Sequence, residues 1–236
     1  MIFEADTRVQ YSEVDSKGIM TVDAIIDCLQ NIVMMHSEEV GMGSNQVKEL
    51  GTVWFLSTWQ VEILRAPVVY ESIKVKTNPY GFKGFFGNRN VWIEDAQGEI
   101  IVKANSIWVY LDTRGMVPRR IDEQAMGPYL PLEPMLEMNY SSRKIAMPAE
   151  FSPLPPLPVR YAQLDTNNHV NNCEYVKTAI DVADIRKMPR QVRVEYKKSA
   201  LLGNVFYPYI NRTQEAVYVD LRDEKNVSYA TVVFEY

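Results

Sequence analysis

The sequence is poor in the residues that build metal sites and disulfide frameworks. Its 236 residues include two cysteines, Cys28 and Cys173, and two histidines, His36 and His169. A structural zinc site needs four ligands, so no metal is expected from so small and scattered a set, and no cofactor either. Two cysteines suit a reducing compartment better than a disulfide-stapled secreted domain. Positive charge is also in deficit, with 25 Lys+Arg against 30 Asp+Glu and a net charge of −5. A nucleic-acid surface, which needs cations to displace counterions from phosphates, is not expected. No run approaches the ~20 apolar residues that cross a bilayer. The start, Met1-Ile-Phe-Glu-Ala-Asp6, puts acids where a signal peptide carries cations. A cytoplasmic protein without membrane association is the expectation.

Proline is present but unevenly placed. Of 13 prolines, eight stand at positions 128, 131, 134, 148, 153, 155, 156 and 158. Proline fixes φ and removes a backbone donor, so Pro153-Leu-Pro-Pro-Leu-Pro158 predicts an extended, polyproline-like connector. The chain then divides into residues 1–125, a linker at 126–156, and residues 157–236.

Both parts follow one plan. The first predicts a short strand at Thr7–Ser12, then a helix capped by Thr21 and running to about Val40, with an apolar face of Ile25, Leu29, Ile32, His36 and Val40. Gly41 and Gly43 end it. Alternating β runs follow at Val53–Leu64, Glu71–Thr77, Phe85–Glu94 and Glu99–Leu111, with a hairpin turn at Ala96-Gln-Gly98. In the second part Val159, Tyr161 and Asp165 match Val9, Tyr11 and Asp15 at an offset of 150. Val194-Glu195 match Val61-Glu62 at 133, and Val217, Ala230 and Tyr236 match Val91, Ala104 and Tyr110 at 126. A series of matches whose offset only shrinks is what a duplication with shorter loops leaves. The fold class is α+β, a sheet wrapped on a long helix, used twice.

The copies differ most between first strand and helix. The first reads Asp15-Ser-Lys-Gly-Ile-Met20, and the second Asp165-Thr-Asn-Asn-His-Val-Asn-Asn172, before a helix at about Asn172–Ala183. A carboxylate, amides and a group titrating near neutrality just before a helix N-terminus suit carbonyl chemistry. His169 can activate water, Asn167 and Asp165 can position it or the substrate, and N–H groups near Asn171-Asn172 can polarise a carbonyl. Asn171 and Asn172 also read as ordinary helix caps.

On these residues the chain resembles the acyl-acyl-carrier-protein (acyl-ACP) thioesterases. The likeness is carried by Leu164-Asp-Thr-Asn-Asn-His-Val-Asn-Asn172 with Tyr175, by Ile32-Val-Met-Met-His-Ser-Glu-Glu-Val-Gly41, by Trp54 and Trp59-Gln-Val-Glu-Ile63 with Arg65-Ala-Pro67, and by Gly98-Glu99 with Ala104-Asn-Ser-Ile-Trp108. It implies two tandem hotdog domains that hydrolyse acyl-ACP to free fatty acid in fatty acid biosynthesis, with Asp165, Asn167 and His169 on the family's catalytic positions. A strand Glu of the family is replaced here by Ser199, and a Cys by Ala200. Ser199 itself, Glu195 on the same strand face, and Asp181 on the helix are auxiliary candidates. Cys28 and Cys173 read as helix-packing residues rather than nucleophiles.

The family places the acyl chain largely in the first domain, where Met34, Met35, His36, Trp54, Phe55, Phe85 and Phe86 are candidate lining residues, core packing being the competing role for each. The acidic carrier protein would meet Arg186, Lys187, Arg190, Arg193, Lys197 and Lys198, or Arg114, Arg119 and Arg120. Other readings stay open: an acyl-CoA thioesterase, a hydratase or dehydratase, or a non-catalytic acyl-thioester sensor. Whether the chain forms a homodimer is also open.

Overall fold

A computed structural model describes the backbone of residues 1–236 and all side chains except those of Ser44, Val47 and Lys48. The chain forms two compact units, Met1–Ser57 with Val61–Tyr140, and Thr58–Gln60 with Ser141–Tyr236.

In the first unit, β1 (Phe3–Arg8) leads into a single 3-10 turn at Tyr11–Glu13 and then α1 (Val22–Glu39). A short α2 (Ser44–Glu49) precedes β2 (Thr52–Ile63), β3 (Ser72–Lys83), β4 (Phe86–Glu94), β5 (Ile100–Asp112), the two-residue β6 (Val117–Pro118) and α3 (Glu123–Met126). The sheet order is β1-β3-β4-β5-β2, with β6 on β5. Thr21 caps α1 as its sequence position implies, its Oγ1 accepting the Ala24 N–H. Ile25, Leu29, Ile32 and His36 are buried on one helix face, which packs on β3 and β4. Each such aliphatic side chain is worth roughly 1.5–3 kcal/mol on full burial. Two boundaries differ from the sequence expectation. The first strand lies earlier, at 3–8, because residues 11–13 close a 3-10 turn instead. β3 runs through Pro79, which is tolerated because the register shifts between Pro79 and Gly81.

In the second unit, β7 (Ser152–Pro153) and β8 (Leu157–Pro158) precede a 3-10 turn at Tyr161–Gln163, α4 (Asn172–Val182), β9 (Gln191–Tyr196), β10 (Val205–Arg212), β11 (Ala216–Arg222) and β12 (Ser228–Glu235). The order is β9-β12-β11-β10-β7, with β8 also on β10. Val192, Val194, Tyr196, Val219, Leu221, Ala230, Val232 and Phe234 are buried and face the side on which α4 lies against β11 and β12. Every described strand pair is antiparallel. A helix wrapped by an antiparallel sheet, twice over, is the architecture that the alternation and the offsets predicted.

The proline-rich segment is not a free tether. Pro153 and Pro158 pair with β10 at the sheet edge, where a missing N–H is harmless. Upstream, buried Asn90 on β4 accepts the Leu136 N–H and the Tyr140 hydroxyl, each at 3.0 Å. Lys103 donates to the Glu137 carbonyl at 2.8 Å. Beyond residue 140, Ile145 packs on Ala216 and Val233, and the Ser142 carbonyl accepts from Arg193 at 2.6 Å. Among the described residues no helix is long and apolar enough to cross a membrane.

The duplication is repeated in hydrogen bonds. Val9 N–H donates to the Glu71 carbonyl at 3.0 Å, and Val159 N–H to the Asn204 carbonyl at 2.9 Å. Val68 N–H donates to the Glu71 carboxylate and Leu201 N–H to the Asn204 amide oxygen, both at 2.8 Å. Arg65 reaches Asp95 at the foot of one hairpin, and Lys198 reaches Asp223 at the foot of the other.

Candidate active site

Two turns of nearly identical backbone lead into the two long helices. In the first unit Asp15 Oδ1 accepts the Lys17 N–H at 2.8 Å and the Ile19 N–H at 3.0 Å. The Asp15 N–H donates to the Ile19 carbonyl at 2.8 Å, and Gly18, at φ 75°, closes the loop. In the second unit Asp165 Oδ1 accepts the Asn167 N–H at 2.8 Å and the His169 N–H at 3.1 Å. The Asp165 N–H donates to the His169 carbonyl at 2.7 Å, and Asn168 takes the left-handed position at φ 60°. Asparagine tolerates that region better than other residues with a Cβ. One turn thus ends in an apolar Ile19 and the other in an imidazole.

The main chain around His169 is fixed on both sides. Val170 N–H donates to the Ala200 carbonyl and Asn171 N–H to the Gln163 carbonyl, each at 2.9 Å, while His169 pairs with Leu201 in an isolated bridge. The His169 side chain is half-buried and Asn167 is exposed. Asp165 is half-buried, and its Oδ1 is engaged by two backbone donors. The same two donors on Asp15 hold that carboxyl below the usual carboxylate range.

Asp165, Asn167 and His169 therefore share one turn, with the 199–201 strip alongside. Other sequence candidates are placed elsewhere. β9 ends at Tyr196, because Lys197 and Lys198 N–H both turn onto the Tyr229 carbonyl. Ser199 is consequently not on the strand, and its assumed shared face with Glu195 is corrected. Glu195 is buried on β9 opposite Thr231 and accepts the Ile145 N–H at 3.4 Å. Asp181 is exposed near the far end of α4, about 13 Å along the helix from Asn172. Two backbone donors near the expected carbonyl-polarising position are engaged within the protein. Asn171 N–H is taken by Gln163, and Cys173 N–H by the Asn171 side chain that caps α4. Cys28 is an unsuitable nucleophile, since burial pushes its thiol up to about 12, and Cys173 is fully buried.

The acyl-pocket candidates, all in the first unit, fall in different environments. Met34 and Met35 are 41% and 50% exposed, so they do not line the helix face that packs on the sheet. Phe85 and Phe86 meet at a tilt of 45° with centroids 4.4 Å apart, and Phe55 is half-buried. Trp54 lies between Tyr110 and Phe82, in a space that Gly87 leaves open, since a Cβ there would sit 3.0 Å from the indole. His36 is packed between Phe3 and Tyr129, and its Nδ1 lies 2.7 Å from the Arg89 guanidinium. Burial and that cation push its pKa down to about 3, so the ring is neutral and accepts from Arg89. Burial likewise lowers Arg89 to about 10. The sequence reading missed Arg89. Its parity with Gly87, Val91 and Ile93 on the buried face of β4 is the signal that would have found it. A surface groove of about 740 Å³ along Asp6–Arg8, Ser72–Lys74 and residues 94–98 contains none of the candidates.

With fold and turn in place, comparison with known proteins gives a consistent picture. Residues 1–129 match the model of the acyl-ACP thioesterase N-terminal domain, and residues 149–233 that of the C-terminal domain. The chain is 31% identical over 188 residues to an oleoyl-acyl carrier protein thioesterase 2 of Arabidopsis thaliana, covering 71% of this chain and 50% of that protein. It is 30% identical over 232 residues to the thioesterase 1 of the same plant, covering 88% and 63%. The chain thus spans between half and two thirds of the length of these curated relatives. A solved acyl-ACP thioesterase from Bacteroides thetaiotaomicron has the same fold, with a TM-score of 0.88 over 99% of this chain and 97% of that one at 20% identity.

Proposed function

The chain belongs to the acyl-ACP thioesterase family, and from that premise we propose that it hydrolyses the thioester of acyl-ACP, releasing a free fatty acid and the carrier's thiol in the cytoplasm. The observation that carries the mechanism is the place of His169, which stands where the otherwise equivalent turn of the first unit has Ile19. In this reading the imidazole takes a proton from water as the water oxygen attacks the thioester carbonyl. The C–S bond then breaks, and the departing thiolate receives the proton. Asn167, exposed beside His169, orients the water or the carbonyl oxygen. Asp165 holds the turn through its two backbone hydrogen bonds. A general base of this kind contributes about 10²–10⁴ in rate.

The carrier protein's acidic surface would approach the exposed Arg186, Lys187, Arg190, Lys197 and Lys198. Arg186 is already paired with Asp184 and Lys198 with Asp223, so these charges would serve encounter more than affinity.

The test is a side-by-side assay on acyl-ACP and acyl-CoA of graded chain length, with wild type and His169→Ala. Hydrolysis of acyl-ACP, with kcat lowered at least ~10²-fold in the variant, is expected. A variant within a few-fold of wild type would end the proposed mechanism. Preference for acyl-CoA would reassign the substrate, and acyl-ACP binding without hydrolysis would make the protein a sensor.

A further inference from the structure

We propose that Tyr175 is a positioning residue for His169, tying the first turn of α4 to the 199–201 strip against which the His169 turn is set. The inference rests on the reading of His169 as the reacting base. Its observations are a chain of contacts within the second unit. Val170 N–H donates to the Ala200 carbonyl at 2.9 Å, and the Ala200 N–H donates to the Tyr175 hydroxyl oxygen at 2.8 Å. Tyr175 is 2% exposed, and its ring is held by Tyr196 and Phe206 at centroid distances of 5.8 and 5.5 Å. The Tyr196 hydroxyl in turn donates to the carbonyl of Asn172, the first residue of α4, at 3.0 Å.

The first unit supplies an internal control. There Met20 N–H donates to the Pro67 carbonyl at 2.8 Å, the counterpart of Val170 on Ala200. Proline has no N–H, so the first unit has no donor at the position of Ala200, and the helix position matching Tyr175 at the offset of 150 is the fully buried Ile25. Ala200 restores that donor, and a buried N–H must find an acceptor. The tyrosine hydroxyl meets this need, and it makes helix, strip and turn one hydrogen-bonded body. The first unit has no reacting group at Ile19 and no such tie. In the second, a shift of the strip moves His169 and Val170 with it, and misplacement by about 1 Å can cost about 10²-fold in rate.

Tyr175→Phe removes only the hydroxyl. The expected result is a kcat lower by about 10- to 100-fold with KM within about two-fold, and faster hydrogen exchange at the Ala200 and Val170 amides. The double variant Tyr175→Ile with Ala200→Pro installs the first unit's untied pair and is expected to fold but to stay as slow as Tyr175→Phe. Unchanged exchange at Ala200 in Tyr175→Phe overturns the proposal, as does a double variant whose kcat recovers to within about three-fold of wild type without the tie. His169→Ala, run alongside, keeps the two readings apart. Retained activity there removes the catalytic role of His169, while the exchange measurement still judges the Tyr175 contact.

Discussion

The two turns that start the long helices differ in what their shared backbone carries. Around Asp15 and around Asp165 the same donors reach the same oxygen, and the same partners hold the residue before each helix. What changes is the cargo: Lys17, Gly18 and Ile19 in one, Asn167, Asn168 and His169 in the other. A carboxylate that does the same work in a turn without an acid-base group is best explained by that work. In the proposed reaction Asp165 then forms the turn, and the chemistry falls on His169 and Asn167. The first unit has specialised elsewhere. Its α1 has 18 residues against 11 in α4, and the extra length brings His36 to Arg89, a cluster that the second unit lacks.

The sharpest way to break this comparison is at the paired aspartates. Asp165→Ala should lower kcat by about 10²-fold by releasing the His169 main chain, whereas Asp165→Asn, whose amide oxygen still accepts both N–H groups, should stay within about five-fold. Equal losses in the two variants would show that the charge itself takes part in the reaction. Asp15→Ala should leave kcat alone and lower the denaturant midpoint of unfolding.

A second test concerns the cluster peculiar to the first unit. His36→Leu leaves the buried Arg89 guanidinium without its nearest acceptor and should destabilise the protein by about 3 kcal/mol. Arg89→Met, which removes the buried cation, should cost about 1–2 kcal/mol. The pH dependence has a definite sign. His36 has its folded pKa pushed down to about 3 from 6.5, so the unfolded chain takes up the proton first. Stability is therefore lost as pH falls from about 6.5 towards 3. Denaturation curves of His36→Gln across that window should be flatter than those of wild type, and parallel curves would contradict the buried neutral imidazole.

The smallest expected effects lie at the left-handed residue of each turn. Asn168→Gly should change stability by no more than about 0.5 kcal/mol, since glycine takes φ 60° readily. Gly18→Ala should cost about 1–2 kcal/mol, because alanine is strained at φ 75° and its Cβ would lie 3.3 Å from Val69. If both substitutions proved neutral, the two turns would not be equally tight.

Much of this organisation was legible beforehand. Spacing of Ile25, Leu29, Ile32 and His36 located α1, alternation located β2, β4 and β5, and the shrinking offsets announced the repeat. Short-range hydrogen bonds were harder to foresee. The sequence around Tyr11 looks extended yet closes a 3-10 turn, and the run through Tyr196-Lys-Lys-Ser199 looks like a continuing strand yet folds back onto the Tyr229 carbonyl. The capping potential of Asn171 was visible, but not that the Gln163 carbonyl and the cap would take the Asn171 and Cys173 N–H groups.

Local chemistry and periodicity are written in the chain, because a helix face or a strand face depends on residues three, four or two positions apart. By itself the sequence therefore determined the two-copy plan, the segment carrying His169 and the family resemblance. Tertiary structure decided which donors were already spent. It moved Ser199 off the strand, and showed Ala200 held by Tyr175 where the first unit has Pro67 and Ile25. Each of those outcomes depends on which buried polar group finds which partner, and partners 25 or more residues apart meet only after the sheet has closed on the helix.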